Sequence, residues 1–215
     1  MMNDDQEVLK TGTTTVALMC KDGVVLCADM RVTSGYLIAY KKFDKIIKIT
    51  DNIALTVAGT VSDVQLLVKL IRAELRLKNI RTKREPYVKE VVNLLAQMVY
   101  YNIRKMSLIP GISHFIVGGK DSTGYYVYDL GADGSITKCD EYCSSGSGSV
   151  MAYGVLETLY KKDMSVEDGV KLGVKAINAA IQRDIASGDG VNVFTITKDG
   201  AQLTLTKEAP YKVEA

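Results

Sequence analysis

Residues 10–18, KTGTTTVAL, place a glycine directly before three threonines and run straight into an apolar stretch. A threonine hydroxyl is a weak nucleophile near neutral pH and needs a base beside it. Histidine is the usual base, but the chain has one, His114, set among apolar residues in the strand-like SHFIVGG. There a histidine satisfied within the sheet is the plainer reading, and Ser-His-Asp or Cys-His catalysis loses its base. One chemistry needs no histidine: a threonine whose own α-amino group acts as base once the preceding residues are cut away. That amine titrates near ~7.7–8, so a substantial fraction is neutral near pH 7 and can take the hydroxyl proton. Gly12, lacking a Cβ, gives the Gly12–Thr13 peptide torsional freedom and leaves room for the Thr13 hydroxyl to attack the Gly12 carbonyl.

The rest of the inventory narrows the field. At 215 residues, 47% hydrophobic and 24% charged, the chain fits one large domain or at most two small ones. A net charge of +2, with no block of like charges, gives no electrostatic footprint for nucleic acid or an anionic membrane. No apolar run approaches the ~18 residues of a membrane span. The first residues, MMNDDQEVLK, are acidic and polar where a secretory signal needs a basic end and an apolar stretch. We therefore expect a cytoplasmic protein with Cys20, Cys27, Cys139 and Cys143 as free thiols. CDEYC at 139–143 is at most half of a metal site with no second close pair to complete it, and neither a dinucleotide fingerprint nor a Walker pattern is present. No metal and no cofactor are expected.

These residues must be positioned by strands that come in blocks and helices that come in pairs. TTTVALMC and VVLCADM read as a hairpin turned at KDG, followed by strands GYLIAY, KIIKIT and IALTVAG. The period then changes. Val64, Leu67, Val68, Ile71 and Leu75 form one helical stripe, with Ser62 and Gln65 suggesting a capping box. Val88, Val91, Val92, Leu95, Met98 and Val99 form a second stripe just after Pro86. Strands SHFIVGG and YYVYDL follow, then helices over about 150–162 and 166–185 with Ser165 as N-cap, then the hairpin NVFTITKDGAQLTLT. This order predicts an α+β fold in which antiparallel sheets are flanked by paired helices.

Several stretches together resemble the proteasome β subunits of the archaeal type, over Thr13 to about residue 200. Gly12, the run Thr13–Val16, Asp29, Arg31 and Lys45 match the start of that family's mature chain, with the Asp 16 and the Lys 32 residues beyond the threonine. AGTVSDVQ resembles the family's Ala-Gly segment, SGSGS its Gly-Ser-Gly-Ser loop, and RDIASGDG its Arg-Asp-x-x-Ser-Gly motif. Ala17 departs from the usual glycine. The resemblance implies the N-terminal nucleophile hydrolase fold, a four-layer αββα sandwich of two antiparallel sheets. It implies a propeptide over 1–12, removed by cleavage at Gly12–Thr13, and a single catalytic domain over 13–215. The implied activity is that of a threonine endopeptidase on unfolded polypeptides, inside a homo-heptameric β ring that joins proteasome α subunits and is fed by an ATP-dependent unfoldase cap.

It also assigns roles. Lys45 would lend its positive field to the Thr13 hydroxyl, and Asp29 would orient Lys45. Lys45 alternates with Phe43, Ile47 and Ile49 on one strand face, unlike the solvated Lys41 and Lys42, so burial should lower its pKa unless a carboxylate offsets it. Gly59, on its own a strand end, would offer its N–H to an oxyanion. Ser147, Asp184 and Ser187, which alone read as loop filler and a helix ending, would hold the threonine's amine and hydroxyl. Val32, Thr33, Ile47, Val57 and Val61 would line the first substrate pocket, which, carrying no charge, should prefer apolar residues before the cut.

One geometric point stands against Asp29. A tight Asp22–Gly23 turn would put it on the sheet face opposite to Thr13, so a longer loop or a bulge is predicted between Cys20 and Cys27. Two rival readings share the fold: a noncatalytic β-type subunit, which would be expected to lose the Thr or the Lys, and another N-terminal nucleophile hydrolase acting on a small amide.

Overall fold

The computed structural model describes residues 12–209, so all but Gly12 of the expected 1–12 propeptide lies outside the described residues. The predicted elements occur in the predicted order, joined by three short strands that the sequence reading does not place, over 32–34, 136–139 and 142–145. Strands β1 (Thr15–Cys20), β2 (Gly23–Asp29), β3 (Val32–Ser34), β4 (Leu37–Tyr40), β5 (Ile46–Lys48) and β6 (Ile53–Gly59) precede the first helix pair, α1 (Val61–Thr82) and α2 (Val88–Arg104). Strands β7 (Ser113–Asp121), β8 (Gly124–Leu130), β9 (Ile136–Cys139) and β10 (Tyr142–Ser145) lead to α3 (Ser149–Leu159) and α4 (Val166–Ile181), and β11 (Gly190–Thr197) with β12 (Gly200–Glu208) closes the chain.

The strands form two five-stranded antiparallel sheets, ordered β10-β1-β2-β11-β12 and β5-β6-β7-β8-β9, while β3 and β4 pair separately. Alternation along each strand divides the core into three layers of contact. Ala17, Val24 and Leu26 of the first sheet meet Ile46, Ala54, Ile116 and Val127 of the second. The opposite face of the first sheet, through Val16, Leu18, Val25 and Cys27, packs on Ala152, Leu156, Leu172 and Ile177 of α3 and α4. The outer face of the second sheet, through Leu55, Val57, Phe115 and Val117, covers the predicted stripes of α1 and α2. The four-layer αββα sandwich expected from the sequence is therefore the observed architecture.

Some local expectations are corrected. The first hairpin has neither a longer loop nor a bulge: Cys20 pairs with Gly23 across a two-residue Lys21–Asp22 turn, and the register continues unbroken to Thr15 opposite Ala28. Gly23 opens the returning strand because a Cβ there would overlap the carbonyl oxygen of Ile196 on β11. The closing hairpin repeats this plan, turning at Lys198–Asp199 with Gly200 as first strand residue. Helix α1 starts at N-cap Thr60 without a side-chain cap, so Ser62 and Gln65 lie inside the helix and form no capping box. Ser165 does cap α4, accepting the Asp168 N–H at 3.2 Å, but that helix ends at Ile181, leaving Asp184 and Ser187 in a turn beyond it. His114 bonds Asp129 of β8 at 2.5 Å through Nε2, and the four cysteines are buried and free.

Candidate active site

The sequence-predicted site residues converge at one end of the sandwich because each terminates or follows an element there. Asp29 ends β2, Gly59 ends β6, Lys45 immediately precedes β5, and Thr13 precedes β1. Ser147 lies in the loop joining β10 to α3, and Asp184 and Ser187 lie in the turn after α4. Both sheets and the turns flanking α3 and α4 thus contribute to the cluster, and residues set at the ends of such elements are positioned more precisely than residues of free loops.

Lys45 is the most unusual of them. Its side chain is 2% exposed and Nζ sits 2.7 Å from Asp29 Oδ1, itself fully buried. Burial pushes the Lys45 pKa down, and the Asp29 carboxylate, by charge and hydrogen bond, pulls it back toward the ammonium. Asp29 accepts from the Thr14 N–H at 2.9 Å on the same oxygen, and from the N–H groups of Arg31 and Gly188 at 3.1 and 3.0 Å on the other. The predicted obstacle to Asp29 therefore disappears for a reason the turn does not supply. Asp29 does share a face with Thr14, as the tight hairpin demands, but strand alternation stops at Thr15, and a lysine arriving from the other sheet bridges the remaining gap.

Thr13 is 5% exposed and still joined to Gly12. Its hydroxyl donates to the Gly12 carbonyl oxygen at 2.7 Å, and Lys45 Nζ approaches the same oxygen at 3.5 Å. The Gly12 N–H donates to the Thr33 hydroxyl at 3.2 Å. Glycine at 12 is a matter of space: a Cβ there would overlap the Ala186 Cβ and lie 2.9 Å from its Cα. On the amine side, the Thr13 N–H reaches the Ser147 hydroxyl at 3.3 Å, and Ser147 and Ser187 both donate to Asp184 Oδ2 at 2.6 Å.

Beside Thr13 and Gly12 opens a small cavity walled by Val32, Phe43, Val57, Val61 and Val64, with Lys45, Ala58 and Gly59 at its base. Val32, Val57 and Val61, three of the residues expected at the first pocket, line this cavity. Ile47 is a correction: it does not line the cavity but packs with the α1–α2 cluster. Thr33 acts through its hydroxyl on Gly12 instead of forming a wall. Phe43 and Val64 were missed as lining, although Phe43 shares the alternating face of Lys45. Gly59 has φ of +112°, and a Cβ would overlap the Ile112 carbonyl oxygen, so glycine is required there by backbone and by space. Arg31, outside the predicted set, ties the turn after α4 to β2: Nε bonds Asp189 at 2.7 Å and Nη1 the Ile185 carbonyl at 3.0 Å.

Among the described residues no group of His, Cys, Asp and Glu could hold a metal, and no helix is long and apolar enough to cross a membrane. The arrangement offers a hydroxyl, a buried ammonium held by a carboxylate, and a hydroxyl-lined seat for the threonine nitrogen. The sequence model of the family described as proteasome subunit matches residues 9–196. The chain is 43% identical over 205 residues to the proteasome subunit beta of Ferroglobus placidus, covering 95% of this chain and 93% of the relative. It is 41% identical over 213 residues to the proteasome subunit beta of Archaeoglobus profundus, covering 99% and 97%. With proteasome subunit beta 2 of Pyrococcus furiosus it shares 44% over 195 residues, 91% of each chain. On its sequence, its αββα layers and its matched extent, the chain belongs to the proteasome subunit family.

Proposed function

We propose that this chain is a catalytic β subunit of a proteasome core, a threonine endopeptidase that activates itself by cutting Gly12–Thr13. The observation that supports this most is the Thr13 hydroxyl lying 2.7 Å from the Gly12 carbonyl oxygen while Lys45, charged against Asp29, approaches that oxygen from another side.

In self-cleavage, Thr13 Oγ1 forms a bond to the Gly12 carbonyl carbon, and the developing oxyanion faces the Lys45 field and the N–H of Gly59. The hydroxyl proton passes to the Thr13 nitrogen as the Gly12–Thr13 C–N bond breaks, leaving Gly12 as an ester on Thr13. Water then hydrolyses the ester, releasing residues 1–12 and leaving Thr13 with a free amine and a free hydroxyl. In peptide hydrolysis that amine takes the hydroxyl proton as Oγ1 attacks the substrate carbonyl, and it returns the proton to the leaving amine. A second water frees the acyl group. Ser147, Asp184 and Ser187 hold the amine, and the Lys45 ammonium favours the alkoxide. The apolar cavity of Val32, Phe43, Val57 and Val61 takes an apolar side chain before the cut, since the Lys45 ammonium beside it is already paired with Asp29 and a charged side chain would lose its hydration there.

The reading includes the assembly that the sequence resemblance implies: a homo-heptameric β ring joined to α subunits, fed with unfolded chains by an ATP-dependent cap, in the cytoplasm. The test is intact mass after co-assembly with an α ring, followed by hydrolysis of apolar fluorogenic peptides. Wild type loses Met1–Gly12 and cleaves; Thr13→Ala retains the leader and does neither. A Thr13→Ala particle that hydrolyses peptides at the wild-type rate would overturn the reading. A processed wild type active on small amides and inert on peptides would instead favour the amidohydrolase alternative.

A further inference from the structure

The hydrogen bonds around Asp184 have a direction that can be worked out. A carboxylate only accepts, so the hydroxyl protons of Ser187 and Ser147 go to Asp184 Oδ2, each at 2.6 Å, the alternative acceptor for Ser147, the Thr13 carbonyl oxygen, lying much farther away at 3.4 Å. Ser187 can then only accept from its remaining partner, the Thr14 hydroxyl at 2.6 Å, so Thr14 is the donor. Ser147 likewise accepts from the Thr13 nitrogen. The result is one directed chain: Thr14 hydroxyl to Ser187, Ser187 to Asp184, Ser147 to Asp184, and the Thr13 nitrogen to Ser147.

Thr14 is fully buried and has a second attachment, because its N–H donates to Asp29 Oδ1, the oxygen that also receives Lys45. The fold makes room for that hydroxyl at a specific point: a Cβ at Gly148 would overlap Thr14 Oγ1 and lie 3.2 Å from Asp184 Oδ2. We propose that Thr14 is a positioning residue that braces the lysine side of the site against the amine side, and that its hydroxyl sets the proton affinity of the Thr13 amine through Ser187 and Asp184. This rests on the threonine-protease reading.

The charged groups around that amine are Asp184 from the turn after α4, Lys45 and Asp29 from the two sheets, and Arg31 with Asp189 beside the same turn. Within this set, Thr14 acts on Asp184. A hydroxyl that receives a hydrogen bond donates more strongly, so Thr14 strengthens the Ser187 bond to Asp184 and disperses its negative charge. Without the Thr14 hydroxyl, Asp184 would favour the ammonium form of Thr13 more strongly. The amine pKa would rise, and less neutral base would be present near pH 7.

The experiment compares Thr14→Val, which keeps the shape and removes the hydroxyl, with Thr14→Ser, which keeps the hydroxyl, in the fully assembled particle. Leader loss is read by intact mass, and hydrolysis is normalised to the processed fraction over pH 5.5–9. Thr14→Val lowers kcat about threefold near pH 7 with KM nearly unchanged. It also moves the acidic limb of the kcat profile upward by about half a unit. Thr14→Ser restores both. If Thr14→Val stops leader removal, Thr14→Cys, a weaker donor of similar size, must show the same upward shift. An acidic limb that stays in place in these variants overturns the proposal, whatever happens to the overall rate, because a merely structural loss scales the profile without moving it. Failure of the underlying reading looks different: Thr13→Ala would then remain active.

Discussion

Removing the Lys45 side chain would leave Asp29 fully buried with three backbone N–H donors and without the ammonium it pairs with. Breaking one half of a buried ion pair is strongly destabilising, so Lys45→Ala should lose about 3–5 kcal/mol in urea unfolding of the isolated chain. Loss of the field at the nucleophile should also slow leader removal about 10²- to 10³-fold. A variant unfolding within 1 kcal/mol of wild type and processing at full speed would remove Lys45 from both roles. This residue was legible in the sequence because alternation separates it from Lys41 and Lys42. The same alternation contained Phe43, whose place in the cavity wall needed only to be drawn from it. Ile47 was misplaced because a shared strand face does not say which part of that face meets the cavity and which meets α1 and α2. The parity argument against Asp29 assumes strand geometry at Thr13, whereas β1 begins only at Thr15.

At the scale of elements, α4 carries the turn that holds Asp184 and Ser187, and its depth on the first sheet is set by two small residues. A Cβ at Gly169 would lie 2.6 Å from Cys20 Sγ, and one at Gly173 would overlap Cys27 Sγ. Alanine in a helix interior normally gains about 1 kcal/mol over glycine. Here the crowding against a buried thiol, in a layer with no slack, should win: Gly173→Ala loses about 1–3 kcal/mol in thermal unfolding. Gly173→Ala combined with Cys27→Ala should recover part of that loss relative to Cys27→Ala alone, because the overlapping atom is gone. If Gly173→Ala stabilises the chain, helix propensity outweighs packing and α4 is free to lift. The helix itself was legible from its apolar period and from Ser165. Its early end was not, because nothing in RDIASGDG distinguishes a last helical turn from the turn that follows it. The missing capping box has a similar origin, since Ser62 and Gln65 have the right spacing but Thr60 already occupies the N-cap position.

For the whole molecule, the layer order was legible because each helix stripe and each strand alternation names the face it buries. Pairing between distant strands was not, since the adjacency of β10 to β1 depends on contacts far apart in sequence. The surface left by this packing is uneven. Tyr36 and Leu37 on the β3–β4 hairpin are 94% and 75% exposed, and Met106 and Leu108, in the segment between α2 and β7, are fully exposed. Large apolar side chains left together in water mark surfaces that another protein covers. In a family whose members work as assembled cores, these segments are expected to be buried between subunits. Leu37→Glu with Leu108→Glu should therefore cut the yield of particles with an α ring at least tenfold, read by sedimentation velocity. The unfolding midpoint of the isolated chain should stay close to wild type, because exposed substitutions rarely shift stability by more than about 0.5 kcal/mol. Normal assembly of the double variant would show that the covered surface lies elsewhere. A large fall in the isolated chain's stability would show that these side chains serve the fold itself.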